Sequence, residues 1–434
     1  MEGVSIGSVM DKLAIFGGPK AISEPLKPYN PIGKEEADAA ALVIQSGVMS
    51  NYLGTWSPDF YGGNKVQEFE RMCEKYFNVK HAVTVNSWTS GLTAAVGAVG
   101  IEPGDEIITT PWTMCATATA ILQWNAIPVF SDIDPYTFNI DPNCIEKNIT
   151  SNTKAIMSVD IFGHPANAER LIEICEKFNL KLIVDSAQSP GSFYKGKHTA
   201  TTGHVGGYSL NYHKHIHTGE GGILVTNDDV IADKLRLIRN HAEAVVGDMG
   251  FSDISNMIGS NFRLGEIECA IGIEQLKKLS FLVDRKQKSA DRLTTVLSDL
   301  KGLRTPTVMP DCTHAYYVYP LVLDLPVIGV SRDKIIEALT AEGVSGLMAG
   351  YANIHMLPMY QKKIAYGSTG FPWTSDICRR DINYDKGICP IAEELHDSTF
   401  MGLLVCMYEF SEFDVEKVCY AFQKVWSNLD LLRK

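Results

Sequence analysis

The sequence predicts an α/β protein: a large domain on a central, mostly parallel sheet flanked by helices, followed by a smaller C-terminal α/β domain. Three observations carry this expectation. The chain has 434 residues, more than one compact core ordinarily holds. From about residue 65 to 245, short apolar runs alternate with helical patterns, the rhythm of crossover units that lay strands parallel. Pro306, Pro310 and Asp311 then mark a linker before a second set of elements. The expected division is 1–285 for the large domain, which includes an N-terminal arm, and 286–434 for the small one.

Val66 to Phe77 reads as a helix, His81 to Val85 as a strand, and Ser90 to Gly100 as a helix closed by glycine. Further strands are expected at Glu106–Thr109, Ile127–Phe130, Ala155–Val159, Leu180–Val184 and Gly222–Thr226, each followed by turn residues. Leu264, Ile267, Ile271, Leu276 and Leu279 recur at helical spacing and give one buried face. A second helix, Lys288 to Leu300, leads out of the large domain. Beyond the linker come a strand from Tyr316 to Leu323, a helix from Arg332 to Glu342 and a terminal amphipathic helix from Val415 to Leu432.

Composition removes several classes of function. The net charge of −12 gives no electrostatic reason to approach nucleic acid or an anionic membrane. No run of about 18 apolar residues is available to span a bilayer. The opening Met1-Glu2-Gly3-Val4 lacks a basic leader and does not read as an export signal, so a cytoplasmic location is expected. Ten cysteines are scattered without a CxxC pair, which argues against a zinc knuckle or a disulfide framework.

Three motifs are decoys. Gly191 to His198 nearly spells a phosphate-binding loop, but His198 stands where a magnesium-binding hydroxyl is needed, and the tract reads as a turn between strands. His213, His215 and His217 would share one face of an extended segment, yet no carboxylate or cysteine accompanies them, and no metal is expected. No GxGxxG follows a strand, so a dinucleotide site is unsupported.

What remains is a set of polar residues at strand ends. Asp185 closes a very apolar strand, where open α/β sheets place ligand-contacting groups, although a capping aspartate would look the same. Lys214 sits in a glycine-rich, polar tract, Ser209 to Gly222, unlike the setting of an ordinary surface lysine.

The run Ser209-x4-Lys214-x4-Gly219-Glu220-Gly221-Gly222, preceded by Asp185-Ser-Ala187-Gln188, resembles the DegT/DnrJ/EryC1/StrS family of pyridoxal-phosphate-dependent sugar aminotransferases. Supporting matches are Leu13 to Pro19, Gly104-Asp105-Glu106, Asp132-Ile-Asp134-Pro135, Asn261-Phe-Arg263-Leu, His314-x-Tyr316-Tyr317 and Cys389-Pro390-x-Ala392-Glu393. The resemblance implies a type I aminotransferase fold. It also implies pyridoxal 5'-phosphate held as an imine by Lys214, which then moves protons as a base. Asp185 would pair with the pyridine nitrogen and Gln188 with the ring's phenolic oxygen. Thr89, at a helix start, and Ser209 would contact the phosphate, with the Trp88 backbone beside them.

Two positions depart from the family. Trp88 replaces a small residue, so its side chain is expected to point away from the cofactor, and Met114 follows Thr113 where an aromatic residue usually stacks on the ring. Met114 or Trp112 would take over that stacking. The resemblance places Asn261 and Arg263 toward the cofactor phosphate or substrate of a neighbouring subunit, implying a homodimer, and His355 toward the substrate.

The implied reaction is ping-pong transfer of an amino group from glutamate or glutamine to a keto-sugar, nucleotide-linked in the leading reading. A keto-cyclitol of the scyllo-inosose type is the alternative acceptor. A dehydratase branch with histidine in place of the lysine is opposed by Lys214, and a non-enzymatic regulatory role by the absence of any basic nucleic-acid-reading surface. The aromatic run Tyr52-x3-Trp56-x3-Phe60-Tyr61 either lines the substrate entrance or packs the core.

Overall fold

The computed structural model describes residues 12–433. The opening tetrapeptide read above as lacking an export leader lies outside the described residues. The large sheet has seven strands: β1 (His81–Val85), β2 (Glu106–Thr109), β3 (Ile127–Phe130), β4 (Thr153–Val159), β5 (Lys181–Asp185), β6 (Val205–Ser209) and β7 (Gly222–Thr226). Their order is β1-β7-β6-β5-β4-β2-β3, with β7 antiparallel to both neighbours and every other pairing parallel. Successive residues feed opposite faces: Ile107 and Ile183 enter one core, Ile108, Leu182 and Val184 the other. Helices cover both faces, which is why these strands read as unbroken apolar runs. β5 is the middle strand, and its last residue, Asp185, lies between Val159 and Gly207.

The smaller sheet is four-stranded and antiparallel, in the order β8 (Leu303–Arg304), β9 (Tyr319–Leu323), β11 (Phe400–Leu403), β10 (Leu347–Ala349). Its core also takes Leu13 and Ile22 from the N-terminal segment. Glu342 holds that segment in place. It accepts the amides of Ala14 (2.7 Å) and Ala21 (3.0 Å) and pairs with buried Lys424 at 2.9 Å, whose ammonium also donates to the Pro19 carbonyl.

Two expected helices are one. A 32-residue helix, Glu266–Leu297, runs unbroken from the first core into the second and passes through residue 285. The sequence between Leu279 and Lys288 contains neither proline nor glycine, so nothing stops the first helix before the second begins. The terminal helix, by contrast, breaks at Asn428 into Glu412–Ser427 and Leu429–Leu432. The strand expected from Tyr316 starts only at Tyr319, because Tyr316 lies in the left-handed region at φ 54°. Sequence reading missed β6, whose Gly206 and Gly207 dilute its apolar signal. A Cβ on Gly207 would fall 2.0 Å from the Ile223 carbonyl oxygen, so close strand approach requires the glycine.

Among the described residues no helix is long and apolar enough to cross a membrane. Replacing Lys424 by Met is expected to leave Glu342 buried without its cation and to destabilise the fold by about 3 kcal/mol, read as a lowered urea midpoint.

Candidate active site

The turn after β5 and the turns between β6 and β7 converge at the carboxyl edge of the central strands, where parallel sheets leave a crevice. Asp185 is buried there. Its Oδ1 accepts the Trp88 indole N–H at 2.6 Å and the Ala187 amide at 3.2 Å, and its Oδ2 accepts the Thr117 hydroxyl at 2.9 Å. Burial raises its pKa, while the Trp88, Thr117 and Ala187 donors and nearby Lys214 pull it back down. The expectation that the Trp88 side chain points elsewhere is therefore corrected: the indole enters the site and binds the carboxylate.

Lys214 lies in a turn, its amide bonded to the Asn211 carbonyl. Its ammonium is buried, makes no hydrogen bond or ion pair among the described residues, and rests 4.3 Å from the centre of the Tyr317 ring. Desolvation lowers its pKa to about 8, against the opposing pull of Cys406 and Asp185. A larger share of neutral amine is thus present near neutral pH than on an ordinary lysine. The segment carrying the flanking histidines turns rather than extending. His215 bonds the Ala315 carbonyl, His217 accepts the Gly219 amide, and His213 sits by Tyr317. Among the described residues no cluster could hold a metal ion.

Gln188 bridges outward. Its Oε1 accepts the Phe162 amide at 2.8 Å and its Nε2 donates to the Tyr351 hydroxyl at 2.9 Å, leaving one amide hydrogen uncommitted. Tyr317 and Tyr351 were not singled out from sequence. Tyr317 stood inside a motif already noted, while Tyr351 gave no signal, since it reaches Gln188 across 163 residues of chain.

On the other side of Trp88, Ser87 caps the helix Trp88–Ala98 by accepting the Ser90 amide at 3.1 Å. The Trp88 and Thr89 amides and the half-buried Thr89 hydroxyl remain open to an anion at the positive end of this helix. Ser209, at the end of β6, accepts the Asn211 amide. The Asn261 segment runs beside this turn: the Asn86 amide donates to the Phe262 carbonyl at 2.8 Å, and the Asn261 side chain is exposed.

Two expectations need correction, those for Trp112 and His355. Trp112 is fully buried, packed edge-on against Phe400 and Phe162, so it belongs to the core. Met114 is exposed and lines a cavity of about 450 Å³ with Tyr351, Asn353 and His396. His355 does not face that cavity: it is fully buried and bonded through Nε2 to Glu393 at 2.9 Å. Arg263 donates twice to Asn240 Oδ1 within its own chain and lies over the Tyr52 ring, with its remaining guanidinium N–H groups free of any bond among the described residues. Of the aromatic run, Phe60 and Tyr52 are packing residues, and only Trp56 is exposed.

Residues 55–396 match the model of the DegT/DnrJ/EryC1/StrS aminotransferase family. The chain belongs to this family. The aminotransferase is 33% identical to the spore coat polysaccharide biosynthesis protein SpsC of Bacillus subtilis, over 81% of this chain and 89% of that one. It is 31% identical to an L-glutamine:2-deoxy-scyllo-inosose aminotransferase of Streptomyces kanamyceticus, over 80% and 82%. In three dimensions it resembles an aminotransferase from Psychrobacter cryohalolentis with a TM-score of 0.78 and 28% identity, covering 94% of this chain and all of that one. Its mostly parallel central sheet and small antiparallel C-terminal sheet are the aminotransferase fold, and Asp185 and Lys214 lie at the carboxyl edge of that sheet.

Proposed function

We propose that this enzyme binds pyridoxal 5'-phosphate on Lys214 and moves an amino group from glutamate or glutamine to a keto-sugar. The observation that carries the reading is the pair at the sheet edge: a buried lysine with no carboxylate bonded to it among the described residues, and a buried carboxylate whose hydrogen-bond partners are all neutral donors. Each has an interaction left to make. The cofactor fits both, and the open amides and hydroxyl at Thr89 suit its phosphate.

When bound, the cofactor supplies an electrophilic aldehyde and an electron-accepting ring. Lys214, with its lowered pKa, offers its Nζ as nucleophile and afterwards as the base that carries a proton. Asp185 holds a proton at the pyridine nitrogen, and Gln188 offers its spare amide hydrogen to the phenolic oxygen. Ser209 joins Thr89 at the phosphate, and Met114, exposed at the cavity, covers the ring in place of an aromatic residue.

The acceptor is assigned to the cavity beside Met114, Tyr351 and Asn353, whose buried Asn353 Oδ1 has no partner among the described residues and suits a sugar hydroxyl. A nucleotide-linked keto-sugar fits a role like that named for the SpsC relative. A keto-cyclitol is the second reading, favoured by the likeness to the inosose aminotransferase. The working form is taken to be a homodimer in the cytosol. Exposed Ile254 and Ile258, near the Asn261 segment, offer apolar surface for a second copy, and all ten cysteines are free.

Lys214→Ala is expected to lose both the yellow absorption and the borohydride-fixed cofactor; retention of either refutes the assignment. Capture of the aldehyde by apoprotein needs the neutral amine, so its rate should rise through about pH 8 and level off above, as followed by stopped-flow absorbance. Presented with keto-sugars, nucleotide-linked keto-sugars and keto-cyclitols, the amine-charged enzyme should discharge with the nucleotide-linked class. Discharge by cyclitols alone would select the second reading.

A further inference from the structure

The position of Trp88 is costly to fill, and its surroundings are built around it. A Cβ on Gly91 would lie 2.9 Å from Trp88 Cε3, one on Gly207 2.4 Å from Cζ3, and one on Gly222 3.0 Å from the Trp88 backbone. Gly207 also faces the Ile223 carbonyl, Gly222 the Ser87 backbone and Gly91 the Val85 side chain. None of the three has a positive φ, so they do not serve a left-handed turn. They leave room for the indole and for its helix start. The ring passes close to Gly91 and Gly207, and its N–H reaches the buried Asp185 carboxylate at 2.6 Å.

The donors on that carboxylate are unevenly shared. Oδ1 takes two groups that can only donate, the Trp88 indole and the Ala187 amide. Oδ2 takes one, the Thr117 hydroxyl, which in turn lies 3.0 Å from the Thr113 hydroxyl. A proton therefore has no place on Oδ1, and Oδ2 keeps a free lone pair. The titratable groups facing Asp185 from other elements are Lys214, Asp160 and Tyr351.

We infer that Trp88 is a positioning residue: its indole N–H fixes the Asp185 carboxylate as an ionised acceptor with Oδ2 presented to the cofactor's ring nitrogen. This rests on the cofactor reading above and adds a role for a side chain expected from sequence to turn away. The hydrogen bond to a charged acceptor also stabilises the ionised carboxylate, where burial alone would favour the neutral acid.

The test starts in the apoprotein, where no cofactor is needed. Among the six tryptophan indole N–H resonances, the one lost in Trp88→Phe should lie downfield, and Asp185→Asn should move it upfield because the acceptor loses its charge. An unmoved resonance refutes the link. In the loaded protein, Trp88→Phe should weaken pyridoxal 5'-phosphate binding roughly 10-fold. It should also shift the pH dependence of the long-wavelength absorption band. Should Trp88→Phe fail to fold, replacing Trp88 with its benzothiophene isostere keeps the shape and deletes only the N–H. Wild-type affinity and pH profile in that isostere would overturn the inference. Failure of the wild-type protein itself to bind the cofactor would instead strike the reading on which it rests.

Discussion

Two ionisable side chains, Asp185 and Lys214, are buried at the same sheet edge without forming an ion pair with each other, and the surrounding structure answers to that constraint. Removing each charge from water costs several kcal/mol unless fixed dipoles replace the solvent. For Asp185 the replacement is a set of three neutral donors drawn from a helix start, a second helix and its own turn. For Lys214 it is the face of Tyr317, with Cys406 and Asp185 nearby. Such groups work only if they cannot relax, so the site sits on a packed strand end, Asp185, and a buried, hydrogen-bonded turn, Lys214, rather than on free loops.

The rest of the scaffold can be understood as support for that rigidity. β5 occupies the centre of the sheet, so Asp185 is held from both sides by parallel neighbours. Gly207 in β6 and Gly91 in the helix after β1 admit the indole that meets it, and Gly222 in β7 admits the backbone of that helix start. Gln188 is anchored at the Phe162 amide and reaches Tyr351, joining the strand-end site to a residue of the C-terminal part of the chain. The long helix Glu266–Leu297 crosses from one core to the other, and Glu342 with Lys424 ties the N-terminal segment onto the second. One hydrophobic cluster also spans both parts, joining Trp112 and Phe162 to Val318, Ile354 and Phe400.

The sequence carried most of this architecture because the signals were local. Apolar runs of four or five residues located β1, β2, β3 and β7 to the residue, and Asp185 and Lys214 stood out by their neighbours. Apart from the helix split at Lys288, the readings that went astray were non-local. β6 was hidden because its glycines respond to a ring and a carbonyl contributed by other elements. Trp112 and His355 looked available because nothing in their own neighbourhood reveals that Phe400 and Glu393, far along the chain, close over them.

By itself the sequence determined the α/β class, the strand carrying Asp185, the tract carrying Lys214 and the family, since each depends on short-range pattern or on ordered motifs. Tertiary structure alone decided which side chains reach the crevice. It turned the Trp88 indole inward, sent Trp112 into the core and left Met114 at the cavity. Those outcomes depend on whether space and a hydrogen-bonding partner exist at a point in three dimensions, and residues far apart along the chain supply both.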